Sequence, residues 1–211
     1  LVVTAFQALL FGAEELYIFD DESNRLRLKE ILFSQIALAG ELGVKNLVYG
    51  SPGTRKLFGK PAEEIYNTAS DFFKELGDYA AEKSTSLSIE PNPPAYKNEF
   101  LQTTSECLNF VKSVGSPGLK AHIDTSTMII NGENSVELPQ GIADYNAHIH
   151  ISEPFLSPFG MEENSDFHRT FAKHLDETMP DKVVSLEIKQ SEKPVLINSI
   201  REFAKIYGKR V

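Results

Sequence analysis

The chain has 211 residues, 41% hydrophobic and 24% charged, which is ordinary for a globular protein able to bury a sizeable core. Its formal net charge of −9 argues against nucleic acid as a partner, because phosphate binding needs a basic surface. No apolar run nears the roughly 20 residues that span a bilayer, and no signal-peptide pattern opens the sequence, so a cytoplasmic protein without a membrane partner is expected. Cys107 is the single cysteine, so any metal must be held by carboxylates and imidazoles rather than thiolates.

Short apolar runs alternate with longer stretches at helical spacing throughout, the pattern of an α/β chain. Strands are expected at Val2–Ala8, Lys45–Gly50, Ser86–Pro91, Leu119–Asp124, Tyr145–Ile151 and Lys182–Ile188. The first helix should bury Leu28, Ile31, Leu32, Ile36, Ala39 and Leu42 and stop at Gly43. The second starts at Pro61 and buries Ile65, Ala69, Phe72, Phe73 and Leu76, and Thr103 with Glu106 forms a capping box for the third. Ser165 should cap a fourth, with Phe167, Phe171 and Leu175 inward. The last carries Ile197, Ile200, Phe203 and Tyr207 on one stripe before Gly208.

No glycine-rich loop of the dinucleotide or Walker type follows any strand; Gly50-Ser-Pro-Gly53 has neither spacing. Acidic and polar residues instead end strand after strand, as in barrels whose active site lies on the C-terminal face. The expected architecture is a (β/α)8 TIM barrel, one domain over 1–211. Six strands are two short of closure and a barrel needs about 250 residues, so the first two β/α units are expected to be absent from this chain.

Alternation along each strand sets which side chains share the interior. It pairs Ser88 with Glu90, His122 with Asp124, His148 with His150, and Ser185 with Glu187. Four successive strands thus end in a hard oxygen or imidazole donor aimed at a common axis. Three carboxylates crowded there would repel one another, and a divalent cation resolves the conflict. Glu90, Asp124, His150 and Glu187 are the expected ligands of one Mn²⁺, Mg²⁺, Co²⁺ or Zn²⁺ ion. His122 and His148, one pleat deeper, are expected behind the ligands, orienting them.

The segments Phe6–Gly12 (FQALLFG), Leu47–Pro52 (LVYGSP), Glu90–Pro94 (EPNPP), His122-Ile-Asp124 and His148–Pro154 (HIHISEP) resemble the sugar phosphate isomerase/epimerase family of xylose isomerase-like barrels over nearly the whole chain. The resemblance implies that Glu90, Asp124, His150 and Glu187 end strands five to eight and bind one metal. It also makes Val2–Ala8 the third strand. Where ketose 3-epimerases of this fold carry a substrate-binding histidine and arginine, this chain has Thr127 and Leu156, which leaves the sugar open.

Such a site suits proton abstraction next to a carbonyl of a sugar or sugar phosphate, through a metal-stabilised enediolate. Glu90 and Glu187 are the expected catalytic bases, one removing a proton and the other returning it, in an isomerase or epimerase. Arg55 and Lys56, past the second strand, are candidates for a substrate phosphate or carboxylate. Glu153, Lys189 and His168 are further candidate substrate contacts. Two other readings stay open. Asp166-Phe-His168 resembles the Asp-x-His pair of metal-dependent apurinic endonucleases of this barrel, and an incomplete barrel could be a non-catalytic ligand binder. Exposed strand edges in such a barrel would also favour self-association into a homo-oligomer.

Overall fold

The computed structural model describes residues 2–13, 15–160 and 162–208. Six strands, β1 (Ala5–Phe6), β2 (Asn46–Tyr49), β3 (Leu87–Ile89), β4 (Leu119–Asp124), β5 (Asn146–Ile151) and β6 (Val184–Leu186), form one all-parallel sheet in sequential order. Helices α1 (Glu22–Leu42), α2 (Ala62–Glu82), α3 (Thr104–Val114), α4 (Thr125–Asn131), α5 (Ile142–Tyr145), α6 (Ser165–Thr178) and α7 (Lys193–Tyr207) fall between and after them. This is the α/β architecture expected, a curled partial barrel of six strands where a closed one has eight. The curl is deep enough that Gln7, just past β1, donates from Nε2 to Glu187 Oε1 just past β6 at 3.2 Å.

Most strands are shorter than their apolar runs, and only β4 keeps its expected bounds. Gln7, Glu90 and Glu187 consequently sit one residue beyond their strands, where a side chain can turn into the mouth. β5 and β4 shift register between Ala121 and Ile123, a local irregularity directly below Asp124.

The helices follow their apolar stripes where the sheet covers them. Leu28, Leu32, Ile36 and Ala39 of α1 are fully buried, and Gly43 ends it in a left-handed conformation. Leu42 is 61% exposed, because it lies one residue before that reversal. Thr103 and Glu106 make the expected capping box on α3. Pro61 sits at the N-cap of α2 rather than inside it, and Asn164 rather than Ser165 takes that place in α6. The largest departure is α7, where Ser199, Phe203 and Tyr207 are buried while Ile197 and Ile200 face solvent. β6 is the last strand on its side, so the face of α7 that points past it meets no further element among the described residues.

Candidate metal centre

Glu90, Asp124, His150 and Glu187 converge at the carboxyl ends of β3 to β6, each offering a donor atom, with those atoms all within 4.8 Å of one another. Donors on one ion at bond lengths of about 2.1 Å are at most about 4.2 Å apart, so small side-chain adjustments seat a cation. His150 Nδ1 lies 2.9 Å from Glu90 Oε1 and 3.3 Å from Glu187 Oε2. All four residues line one cavity of about 390 Å³.

Each ligand candidate is held by its neighbours. Asn92 donates to Glu90 Oε2 at 3.2 Å. Gly50 gives that carboxylate its space, since a Cβ there would stand 2.4 Å from Glu90 Oε2. Asp124 caps α4, accepting from Thr127 N at 2.7 Å, and its other oxygen accepts from the Ser152 hydroxyl. Each oxygen keeps a lone pair for a further partner.

The electrostatics call for a cation. Burial, then the charges of Glu90 and Glu187, push the Asp124 carboxyl up to about 7. Burial alone would lower His150, but its contacts with Glu187 and Glu90 win and raise it to about 10. Glu90 is held below the ordinary carboxylate range: burial would raise it, and the His150 hydrogen bond and charge overcome that. Without a metal, the imidazolium of His150 is the positive charge facing three carboxyl groups, and the third resists ionisation. A divalent ion balances this donor set, and oxygen-rich donors with one imidazole fit the hard-to-borderline cations expected from the sequence.

His148 and His122 lie beneath the ligands. His148 Nε2 bonds Ser185 Oγ at 2.8 Å, which puts both side chains on the interior face as alternation requires. Burial, then the charge of His150, drops His148 to about 4. His122 is fully buried, both ring nitrogens lack a hydrogen-bond partner, and Nε2 stands 3.7 Å from Glu90 Oε1. Burial, then its histidine neighbours, holds it far below the usual range, so it is neutral. Glu90, His122 and His150 form a second, overlapping donor set.

The remaining sequence candidates lie elsewhere. Arg55 is wholly buried, neither a loop charge nor a substrate contact. Its guanidinium donates to the carbonyls of Gly50, Glu90, Phe100 and Leu101, tying the ends of β2 and β3 to the loop before α3. Glu153 and His168 are 1% exposed and line a different cavity, of about 440 Å³, beside α6 and α7. The Asn164 amide donates to Glu153 Oε2, and His168 Nε2 lies 3.5 Å from Oε1. Tyr207 donates to the His168 carbonyl at 3.1 Å, so its oxygen accepts from His168 Nδ1–H at 3.0 Å. His168 Nε2 then faces Glu153 Oε1. Lys189 is exposed and outside the lining of the central cavity, as is Lys56. The endonuclease-like Asp-x-His pair is not assembled at the mouth, since the Asp166 side chain is 99% exposed.

Several residues that line or support the site escaped the sequence reading. Asn92 and Ser152 stand two residues beyond Glu90 and His150, so extending the alternation by one step would have found them. Gln7 follows β1 in the same way. Tyr96 and Phe155 carried no such signal, and Leu156 was marked only by the resemblance. Phe155 and Leu156 are consecutive non-glycine residues with φ of 59° and 54°, a backbone cost on the order of 1–3 kcal/mol each.

The model of the xylose isomerase-like TIM barrel family matches residues 4–205. The chain belongs to this family. Among solved structures, 3-keto-D-glucoside 4-epimerase YcjR from E. coli aligns with TM-score 0.80 and 17% identity, covering 97% of this chain and 80% of that one. D-psicose 3-epimerase in the presence of D-fructose gives 0.74 and 16%, covering 92% and 75%. The IolI protein with a bound zinc atom gives 0.73 and 19%, covering 99% and 77%. At these identities the likeness shows the fold. No curated protein sequence matches the chain.

Proposed function

We propose that this xylose isomerase-like barrel is a divalent-metal-dependent sugar epimerase or isomerase that works by proton transfer next to a carbonyl. The observation that carries the reading is the convergence of Glu90, Asp124, His150 and Glu187 on one cavity at the carboxyl ends of consecutive strands. The sugar epimerases among its structural neighbours, and the zinc atom in one of them, support the same reading.

Glu90, Asp124, His150 and Glu187 would hold the ion, which supplies Lewis-acid polarisation of the substrate's carbonyl and hydroxyl oxygens. Glu90 and Glu187 arrive from β3 and β6, on either side of His150. A sugar between them offers one carboxylate to each face of the carbon that loses its proton. Glu90 would accept that proton at a carboxylate oxygen, and Glu187 would deliver one from the opposite side. Return to the same carbon inverts it; return to its neighbour interconverts aldose and ketose. Asn92 and Gln7 fix the two carboxylates in place, and the packed layer of His122 and His148 closes the floor to water.

The test compares metal content of the purified protein with its Glu90→Gln variant, alongside wash-in of solvent deuterium to a ketose. The expected outcome is one ion per chain, lost in the variant, and exchange only in the parent. Equal metal in both proteins would falsify the ligand set, and bound sugar without exchange would leave a ligand-binding barrel.

A further inference from the structure

The lining of the central cavity is chemically mixed. Beside Glu90, Asp124, His150 and Glu187 it includes Ala8, Val48, Pro52, Tyr96, Phe155 and Leu156, the last three from the loops after β3 and β5. No lysine or arginine lines it among the described residues. Arg55, close by in sequence, has its guanidinium committed to backbone carbonyls. Of the lining amides, Asn92 donates to Glu90 and Gln7 donates to Glu187.

The apolar part of this lining is built rather than incidental. Phe155 is 59% exposed, yet its N–H donates to the Tyr96 hydroxyl at 2.8 Å and its ring meets the Tyr96 ring edge-on at 5.7 Å. The same hydroxyl bonds Ser126 Oγ at 2.7 Å, so Tyr96 presents its ring, not its oxygen, to a ligand. Leu156 N bonds Glu153 O at 2.9 Å, and Lys189 N bonds Leu156 O at 3.0 Å. Three hydrogen bonds therefore hold Phe155 and Leu156, which adopt left-handed backbone conformations that side chains disfavour. Thr127, on the floor nearby, spends its hydroxyl on Pro91 O at 2.9 Å.

We infer that the substrate is a neutral, unphosphorylated sugar whose end remote from the reacting carbonyl is apolar, seated against Phe155, Leu156 and Tyr96. This rests on the sugar-binding reading above. A phosphate dianion would enter a lining of three carboxylates that one divalent ion does not fully neutralise, with no cation to receive it. A cavity of about 390 Å³ falls near the lower end of the usual range of about 300–1,000 Å³, which suits one sugar ring with a small substituent. The apolar end can be a terminal deoxy carbon or a small aglycone, because both present hydrocarbon to Phe155, Leu156 and Tyr96.

Calorimetric titration of the Mn²⁺-supplied protein tests this independently of turnover. D-fructose, 6-deoxy-D-fructose, D-fructose 6-phosphate and phenyl 3-keto-D-glucoside are the ligands. We expect the deoxy sugar or the phenyl glycoside to bind on the order of fivefold more tightly than D-fructose, and the phosphate at least about tenfold more weakly. Which of the first two binds better identifies the source of the apolar end. Phe155→Ala should erase the preference while leaving Mn²⁺ affinity unchanged. Phosphate binding as tight as that of D-fructose, an unchanged preference in Phe155→Ala, or no binding of any of these sugars overturns the inference. The expected ranking without deuterium exchange would leave it standing and reject the epimerase.

Discussion

Replacing Arg55 by Met keeps much of the hydrocarbon stem and removes the guanidinium that ties β2, β3 and the loop before α3 together. Four carbonyls, of Gly50, Glu90, Phe100 and Leu101, lose this donor, the one to Leu101 buried and the other three part-buried. Asn92 and Asn98 still donate to the Glu90 and Leu101 carbonyls, which leaves those of Gly50 and Phe100 without a donor, and at about 1–3 kcal/mol for each unsatisfied group the cost is at least about 2 kcal/mol. Relief of the buried charge offsets part, since burial already depresses the Arg55 pKa. We therefore take about 2 kcal/mol as the net loss, which for a chain of this length lowers Tm by roughly 4–8 °C. Differential scanning fluorimetry of metal-free protein measures it directly. Arg55→Lys, which keeps a charge but not the fork of donors, should recover less than half of the loss. A Tm within about 2 °C of the parent for Arg55→Met would show that these carbonyls find other partners and that the residue does not anchor the strand ends.

Gly50→Ala should push the Glu90 carboxylate aside, because the new Cβ would stand 2.4 Å from Oε2; metal affinity should fall on the order of tenfold or more, measured with a competing chelator. Metal binding should release protons, since His150 is protonated in the metal-free protein up to about pH 10 and a ligating nitrogen must shed that proton; affinity should rise between pH 7 and 9, and calorimetry in buffers of different ionisation enthalpy should count the release. For Asp124 the sign runs the other way from a salt-bridged acid. Its carboxyl titrates at about 7 folded against about 3.9 unfolded, so the folded state binds the extra proton and stability contributed below the unfolded value is lost as pH rises through 7. Asp124→Asn should thus raise the Tm of metal-free protein at pH 8 while abolishing the metal-induced rise; a lower Tm at pH 8 would refute the assignment. His148→Phe should remove the bond to Ser185 and weaken metal binding only severalfold, because the ligands themselves remain.

The site was legible because two local rules coincide in it. A parallel strand alternates its faces, so one acidic or imidazole residue at each strand end fixes which side chains meet, and β4 with Asp124 followed that rule to the residue. Where side-chain roles depend on three-dimensional closure the rule fails. Arg55 read as a loop charge because its acceptors are backbone carbonyls up to 46 positions away, which carry no sequence signal. Glu153 lies at the right distance after His150 for the mouth, yet the chain turns and buries it against Asn164 and His168. α4 was missed because Thr125-Ser-Thr-Met-Ile-Ile is rich in β-branched residues, and the Asp124 cap together with packing overrides that preference. Ile197 and Ile200 looked like core by periodicity alone, but a stripe is buried only if something stands opposite it.

The ligands come one each from β3, β4, β5 and β6, and every strand pairs with its neighbour in sequence. The last of them, Glu187, follows a three-residue strand at one edge of the sheet, paired on one side only. An ion shared with Glu90 would therefore act as a clasp between the edge and the middle of the barrel. Amide hydrogen exchange should slow most on adding metal in β6 and α7, the elements that open most readily, rather than around β3, where the other end of the clasp is already fastened.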